Sequence, residues 1–140
     1  MRPGTIVNFE RLMVGTIATA WLQMILTWNE MIRELSPAMS SPASFLIIMM
    51  GVMTALYLVL TLFVSRRRSK IAMWILIVLF VIGIPSFVRA LSGGRIIGSP
   101  LLTIVQELGQ LIALVLLFLP SSRAWFRREV EKPDLRSTFS

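Results

Sequence analysis

Four apolar stretches, each close to the length of a membrane-crossing helix, constrain this chain more than any other feature. They run from Leu12 to Trp28, Phe45 to Val64, Ile71 to Val88 and Leu101 to Leu119. Three contain no acidic or basic residue, and the fourth contains only Glu107. A helix needs about 17–25 largely apolar residues to cross the hydrocarbon layer, and strands would leave backbone groups unsatisfied in lipid unless many of them closed into a barrel. The spacing therefore predicts an all-α fold, an integral membrane antiparallel four-helix bundle.

Composition agrees. The chain has 140 residues, of which 56% are hydrophobic and 15% charged, against about 25% charged in ordinary soluble domains. Its mean hydropathy is +0.79. With no cysteine and no histidine, disulfides, thiol nucleophiles, imidazole bases and the usual zinc, haem and copper sites are excluded. No cofactor and no metal are expected, and the reading is non-enzymatic.

The connections hold the helix breakers. Ser36-Pro37 to Ser41-Pro42 separates the first pair of runs, and Ser65-Arg66-Arg67-Arg68-Ser69 forms a hairpin. Ser92-Gly93-Gly94 to Gly98-Ser99-Pro100 separates the last pair. There is no internal repeat, so an inverted-repeat transporter has no support. Eleven of the 14 basic residues fall on the side that holds both termini and the middle hairpin, and only Arg33, Arg89 and Arg95 on the other. The positive-inside rule places both termini in the cytoplasm, so the net charge of +7 marks topology and no nucleic-acid partner is expected. Trp28, Trp74 and Trp125 fall at span ends, where an amphipathic ring prefers the headgroup level. A cleavable leader ending at Ala18-Thr19-Ala20 is the competing account of the first run, but the apolar stretch before it, Leu12 to Ile17, is shorter than a typical 7–15-residue h-region.

Polar residues inside the runs are few. Glu107 is the only acidic or basic residue well inside any of them, roughly 10 Å from the outer end of the fourth at 1.5 Å per residue. A carboxylate there must face protein or water. Thr103, Gln106 and Gln110 share its side of the helix. Gln23 is expected at the same depth in the first run, with Thr27 shallower and Thr54 and Tyr57 of the second run somewhat deeper. Glu107, Gln106, Gln110, Gln23 and Thr103 thus form an expected polar layer, with two readings. As interhelical glue, such pairs contribute about 0.6 kcal/mol each. As a site, the layer would take a ligand, ion or proton admitted past Pro85, which leaves the Val81 carbonyl without its usual partner. Small-xxx-small spacing at Gly15/Thr19 and Thr16/Ala20 permits close helix approach.

At the cytoplasmic side, Arg66, Arg67, Arg68 and Lys70 are expected at anionic lipid headgroups. After Pro120, Ser121-Ser122 is expected to cap a short interfacial helix. It would carry Trp125, Phe126 and Val130 against the interface and Arg123, Arg127 and Arg128 toward phosphates, with Glu131 pairing Arg127 and Arg128. Residues 129–140 form a polar tail.

The stretch Leu119-Pro120-Ser121-Ser122-Arg123-Ala124-Trp125-Phe126 resembles the ending of small bacterial four-span membrane proteins of unassigned function. Those also close an apolar helix at a Pro or small residue before Arg-x-Trp-Phe. The resemblance covers this end and the four-span layout, and it implies a bacterial inner-membrane location without implying an activity. The expected role is accessory or scaffolding, packing with a membrane-protein partner or as a homo-oligomer. The alternative is a small transporter or ligand-binding protein that uses Glu107; a membrane enzyme is the third and weakest reading.

Overall fold

The computed structural model describes residues 2–92 and 100–127, with backbone alone at Ser86, Arg89 and Ala90. The expectations for Arg95, Arg128, Val130, Glu131 and the tail, and for the side chain of Arg89, lie outside the described residues. Six helices and no strand occur among those described: α1 (Gly4–Leu26), α2 (Trp28–Leu35), α3 (Pro42–Arg67), α4 (Lys70–Ser92), α5 (Pro100–Leu117) and α6 (Pro120–Arg127). The four apolar runs fall within α1, α3, α4 and α5, apart from a residue or two at the ends of the first and last.

Proline sets several of the starts. Pro42, Pro100 and Pro120 each open a helix, at the position where the missing N–H would have had no partner anyway. The α3–α4 link is Arg68-Ser69. Arg68 adopts the left-handed conformation at φ 54° and its amide donates to the Phe63 carbonyl, as does that of Ser69 at 3.2 Å. This left-handed ending usually favours glycine. Here the Arg68 guanidinium lies 4.2 Å from the Trp125 ring centroid, a cation–π contact that offsets part of the backbone cost. Ser69 Oγ then accepts the Ala72 amide at 3.2 Å, capping α4.

Interhelical hydrogen bonds define the register. α1 runs antiparallel to α3, with Trp21 Nε1 donating to Thr54 Oγ1 at 2.9 Å and Ser65 Oγ donating to Glu10 Oε2 at 2.8 Å. It also runs antiparallel to α5, its most extensive neighbour. There Gln23 Nε2 donates to Thr103 Oγ1 at 2.8 Å, and Thr5 and Ser122 share a hydroxyl hydrogen bond of 2.9 Å just beyond the other end of α5. α4 packs on α3 and, less closely, on α5.

The buried core is concentrated at one end, where α1 and α4 start, α3 and α5 finish and α6 follows. Phe9, Met13, Val64, Leu76, Ala113 and Leu117 are sealed there. This basic end carries Arg2, Arg11, Arg66 to Arg68, Lys70, Arg123 and Arg127. Elsewhere the hydrophobic distribution is inverted. Ile25 on α1, Ile48 on α3 and Ile82 on α4 are 66%, 65% and 66% exposed, and exposed apolar surface of this kind marks a protein or membrane contact when it is contiguous. α3 and α5 are each long and apolar enough to cross a membrane, and α4 carries an apolar stretch over Lys70–Pro85.

Three expectations are corrected. α1 starts at Gly4 and ends at Leu26, so the first helix is displaced from the expected 12–28: it takes in Glu10 and Arg11 and leaves Trp28 to open α2. The helix ends there because Thr27 turns back, its amide and hydroxyl both donating to the Gln23 carbonyl at 2.9 and 2.8 Å. Ser122 is not a cap: it lies inside α6 and its hydroxyl reaches back to the Leu116 carbonyl at 2.6 Å. The rings of Trp125 and Phe126, expected to be set outward, are buried in the core beneath the ends of the long helices.

Candidate functional site

A cavity of about 220 Å³ lies among the four long helices, above the packed core. α5 supplies Gln106, Glu107 and Gln110, α3 supplies Thr54 and Tyr57, α1 supplies Thr16, and α4 supplies Phe80 and Gly83. The three α5 residues meet there because positions i, i+1 and i+4 share one side of a helix. Glu107 is half-buried and, among the described residues, the only acidic or basic one in the lining. Among the described residues its carboxylate has no hydrogen bond and no ion pair.

The chamber has a closed floor. Toward the basic end it meets Met13, Thr61, Leu76 and Ala113, all buried. In the opposite direction, only Met24 and Thr27 are buried among the described residues, so packing loosens on that side. Beside the floor α1 and α5 approach closely: a Cβ on Gly109 would stand 2.8 Å from Thr16 Cγ2. Thr16 is held there by its hydroxyl, which donates to the Met13 carbonyl at 2.8 Å. Thr16 and Ala20 thus face the interior, while Gly15 has open space around it.

The five residues of the expected polar layer are divided by the structure. Glu107, Gln106 and Gln110 line the chamber, whereas Gln23 and Thr103 bond to each other outside its lining. The depth assignment is the reason. Measured from Leu26, where α1 ends, Gln23 is three residues in, as Thr103 is from Pro100; Glu107 lies a further four residues down, roughly 6 Å.

The basic residues also separate. Arg66 approaches Glu10 at 4.0 Å, Arg67 lies 5.1 Å from the Phe63 ring centroid, and Arg68 covers Trp125. Lys70, Arg123 and Arg127 are exposed, and Arg128 lies outside the described residues. Sequence reasoning missed Glu10, which accepts from Arg2 at 2.7 Å and from Ser65 at 2.8 Å. Its signal was weak, because an acid beside Arg11 at a span boundary reads as a solvated end.

Comparison with protein-family models, curated proteins and solved structures finds no match to this chain.

Proposed function

We propose that the chain is a multi-pass protein of the bacterial inner membrane that binds a small organic cation in the chamber around Glu107. In this reading it crosses the membrane four times as an antiparallel bundle, with both termini cytoplasmic. α3 and α5 are long and apolar enough to cross; α1 and α4, with 23 residues each, reach about 35 Å at 1.5 Å per residue, long enough to accompany them through a layer about 30 Å thick with Glu10 and Arg11 of α1 at its basic boundary. The lipid-like exposure of Ile25, Ile48 and Ile82 supports spanning. The basic end would face the cytoplasm, so the loosely packed side of the chamber faces out.

The observation that carries the binding reading is a lone carboxylate in a cavity to which every long helix contributes. An ionisable group within a membrane is retained where it faces a partner or a pathway. Among the described residues the chamber supplies no basic partner, while the rings of Tyr57 and Phe80 and the side chains of Met50 and Met53 line the rest. A carboxylate flanked by aromatic faces complements an ammonium group carrying a few carbons. At about 220 Å³ the space lies below the roughly 300–1,000 Å³ of drug-sized pockets, which limits the solute to a small one. We read binding and passage here, not catalysis, because among the described residues no second carboxylate or other strong acid–base group converges on Glu107.

The test is thermal unfolding of the detergent-purified protein with ammonium ions graded from methylammonium to choline. At least one should raise the midpoint of the native protein, and Glu107→Gln should unfold at a similar temperature without responding. The reading fails if none raises the midpoint, or if Glu107→Gln responds equally.

The accessory or scaffolding role is the second reading, favoured by α3, whose most apolar stretch has 17% of its residues buried. It requires a copurifying membrane protein or a second copy in mild detergent, and fails if the chain is always isolated alone and monomeric.

A further inference from the structure

The basic residues at the α4–α5–α6 junction surround a second cavity, about 290 Å³, lined by Lys70, Met73, Leu117, Phe118, Arg123, Phe126 and Arg127. Lys70 opens α4, and Arg123 and Arg127 are one turn apart on α6, which places them on one side of that helix. Burial of Trp125 and Phe126 turns this side outward. The floor between the cations is apolar, and no acidic residue is in the lining.

The neighbouring cations are engaged elsewhere: Arg66 with Glu10, Arg67 with Phe63 and Arg68 with Trp125. Lys70, Arg123 and Arg127 differ in that no carboxylate among the described residues pairs with any of them. Among the described residues, three cations around one apolar groove leave a local excess of positive charge, which complements an anion that also carries hydrocarbon.

We propose that this groove is a binding site for one anionic phospholipid, its phosphate among Lys70, Arg123 and Arg127 and an acyl chain along Met73, Leu117 and Phe118. Guanidinium groups suit phosphate oxygens because their planar donors bind two at once. A zwitterionic lipid brings its own cation into the same space and loses much of the attraction. The inference takes from the preceding reading only that this end lies at the cytoplasmic membrane surface, and it is independent of the chamber.

Native mass spectrometry of the protein in neutral detergent, with equal amounts of phosphatidylglycerol and phosphatidylcholine, tests it. Each basic residue near an anionic surface is worth roughly a factor of five, so the first bound lipid should prefer phosphatidylglycerol on the order of a hundredfold. K70Q/R123Q/R127Q should remove that preference. R11Q/R66Q/R67Q, which deletes the same charge outside the groove, should keep it, as should Glu107→Gln. If the first triple variant does not fold, the three exposed single variants replace it, each lowering the preference by about fivefold. Equal binding of the two lipids overturns the proposal, as does equal loss in both triple variants. Displacement of the lipid by inorganic phosphate at equal concentration would also overturn it, showing a site for a soluble anion. A chain that stays soluble without detergent would instead overturn the membrane reading.

Discussion

Gly109 of α5 lies so close to Thr16 of α1 that a methyl group at position 109 would meet Thr16 Cγ2 at 2.8 Å. Thr16 cannot yield easily, being buried, β-branched and held by its hydrogen bond to the Met13 carbonyl. Overpacking of this kind costs about 1–3 kcal/mol, while Gly→Ala inside a helix returns about 0.5–1 kcal/mol. Gly109→Ala should therefore destabilise by about 1 kcal/mol net. In a Thr16→Ser background the obstructing methyl is gone and the same change should stabilise. A double-mutant cycle with no coupling between the two positions would contradict the close approach.

The Glu10 cluster should show a graded response. Ser65 is fully buried and donates to Glu10, whose side chain is 22% exposed, whereas the Arg2 side chain is 38% exposed. A buried hydrogen bond to a charged group is worth about 1.5–3 kcal/mol, and an exposed ion pair under about 1 kcal/mol. In chemical unfolding, Ser65→Ala should thus cost more than Arg2→Gln. The reverse order would mean that the ion pair, not the buried hydroxyl, anchors α1 to α3.

Thr61 offers a change in the opposite direction. Its hydroxyl is buried in the chamber floor with no hydrogen-bond partner among the described residues, and an unsatisfied buried polar group costs about 1–3 kcal/mol. Valine keeps the branched shape without the hydroxyl. Thr61→Val should raise the unfolding midpoint, by an amount equivalent to about 1 kcal/mol, and a fall would assign the hydroxyl a role in the floor.

The helical content and the positions of the long helices were legible in the sequence, because apolar length and proline are local signals. Pro100 opens α5 where the pattern puts it, whereas α3 and α6 start earlier than expected, at Pro42 and Pro120. Legibility failed where tertiary contacts override local rules. Glu10 carries no local sign of burial, yet it lies within α1, where Ser65 and Arg2 satisfy its carboxylate. Trp125 and Phe126 looked interfacial because periodicity records an apolar face without saying what covers it. In the polar layer, the grouping of Gln106, Glu107 and Gln110 followed from helical spacing alone. The place of Gln23 depended on where α1 ends, which Thr27 decides through its bonds to the Gln23 carbonyl.

Because the chain has no cysteine, a single introduced thiol can report whether the chamber opens outward and accepts cations at Glu107, as proposed. The measurement is the rate at which a single thiol introduced by Gln106→Cys reacts, in intact cells, with membrane-impermeant thiosulfonates added from outside. The cationic reagent should react well ahead of an anionic reagent of similar size, and Glu107→Gln in the same background should abolish the difference. A thiol that reacts only after the membrane is opened, or that shows no charge preference dependent on Glu107, would contradict the account.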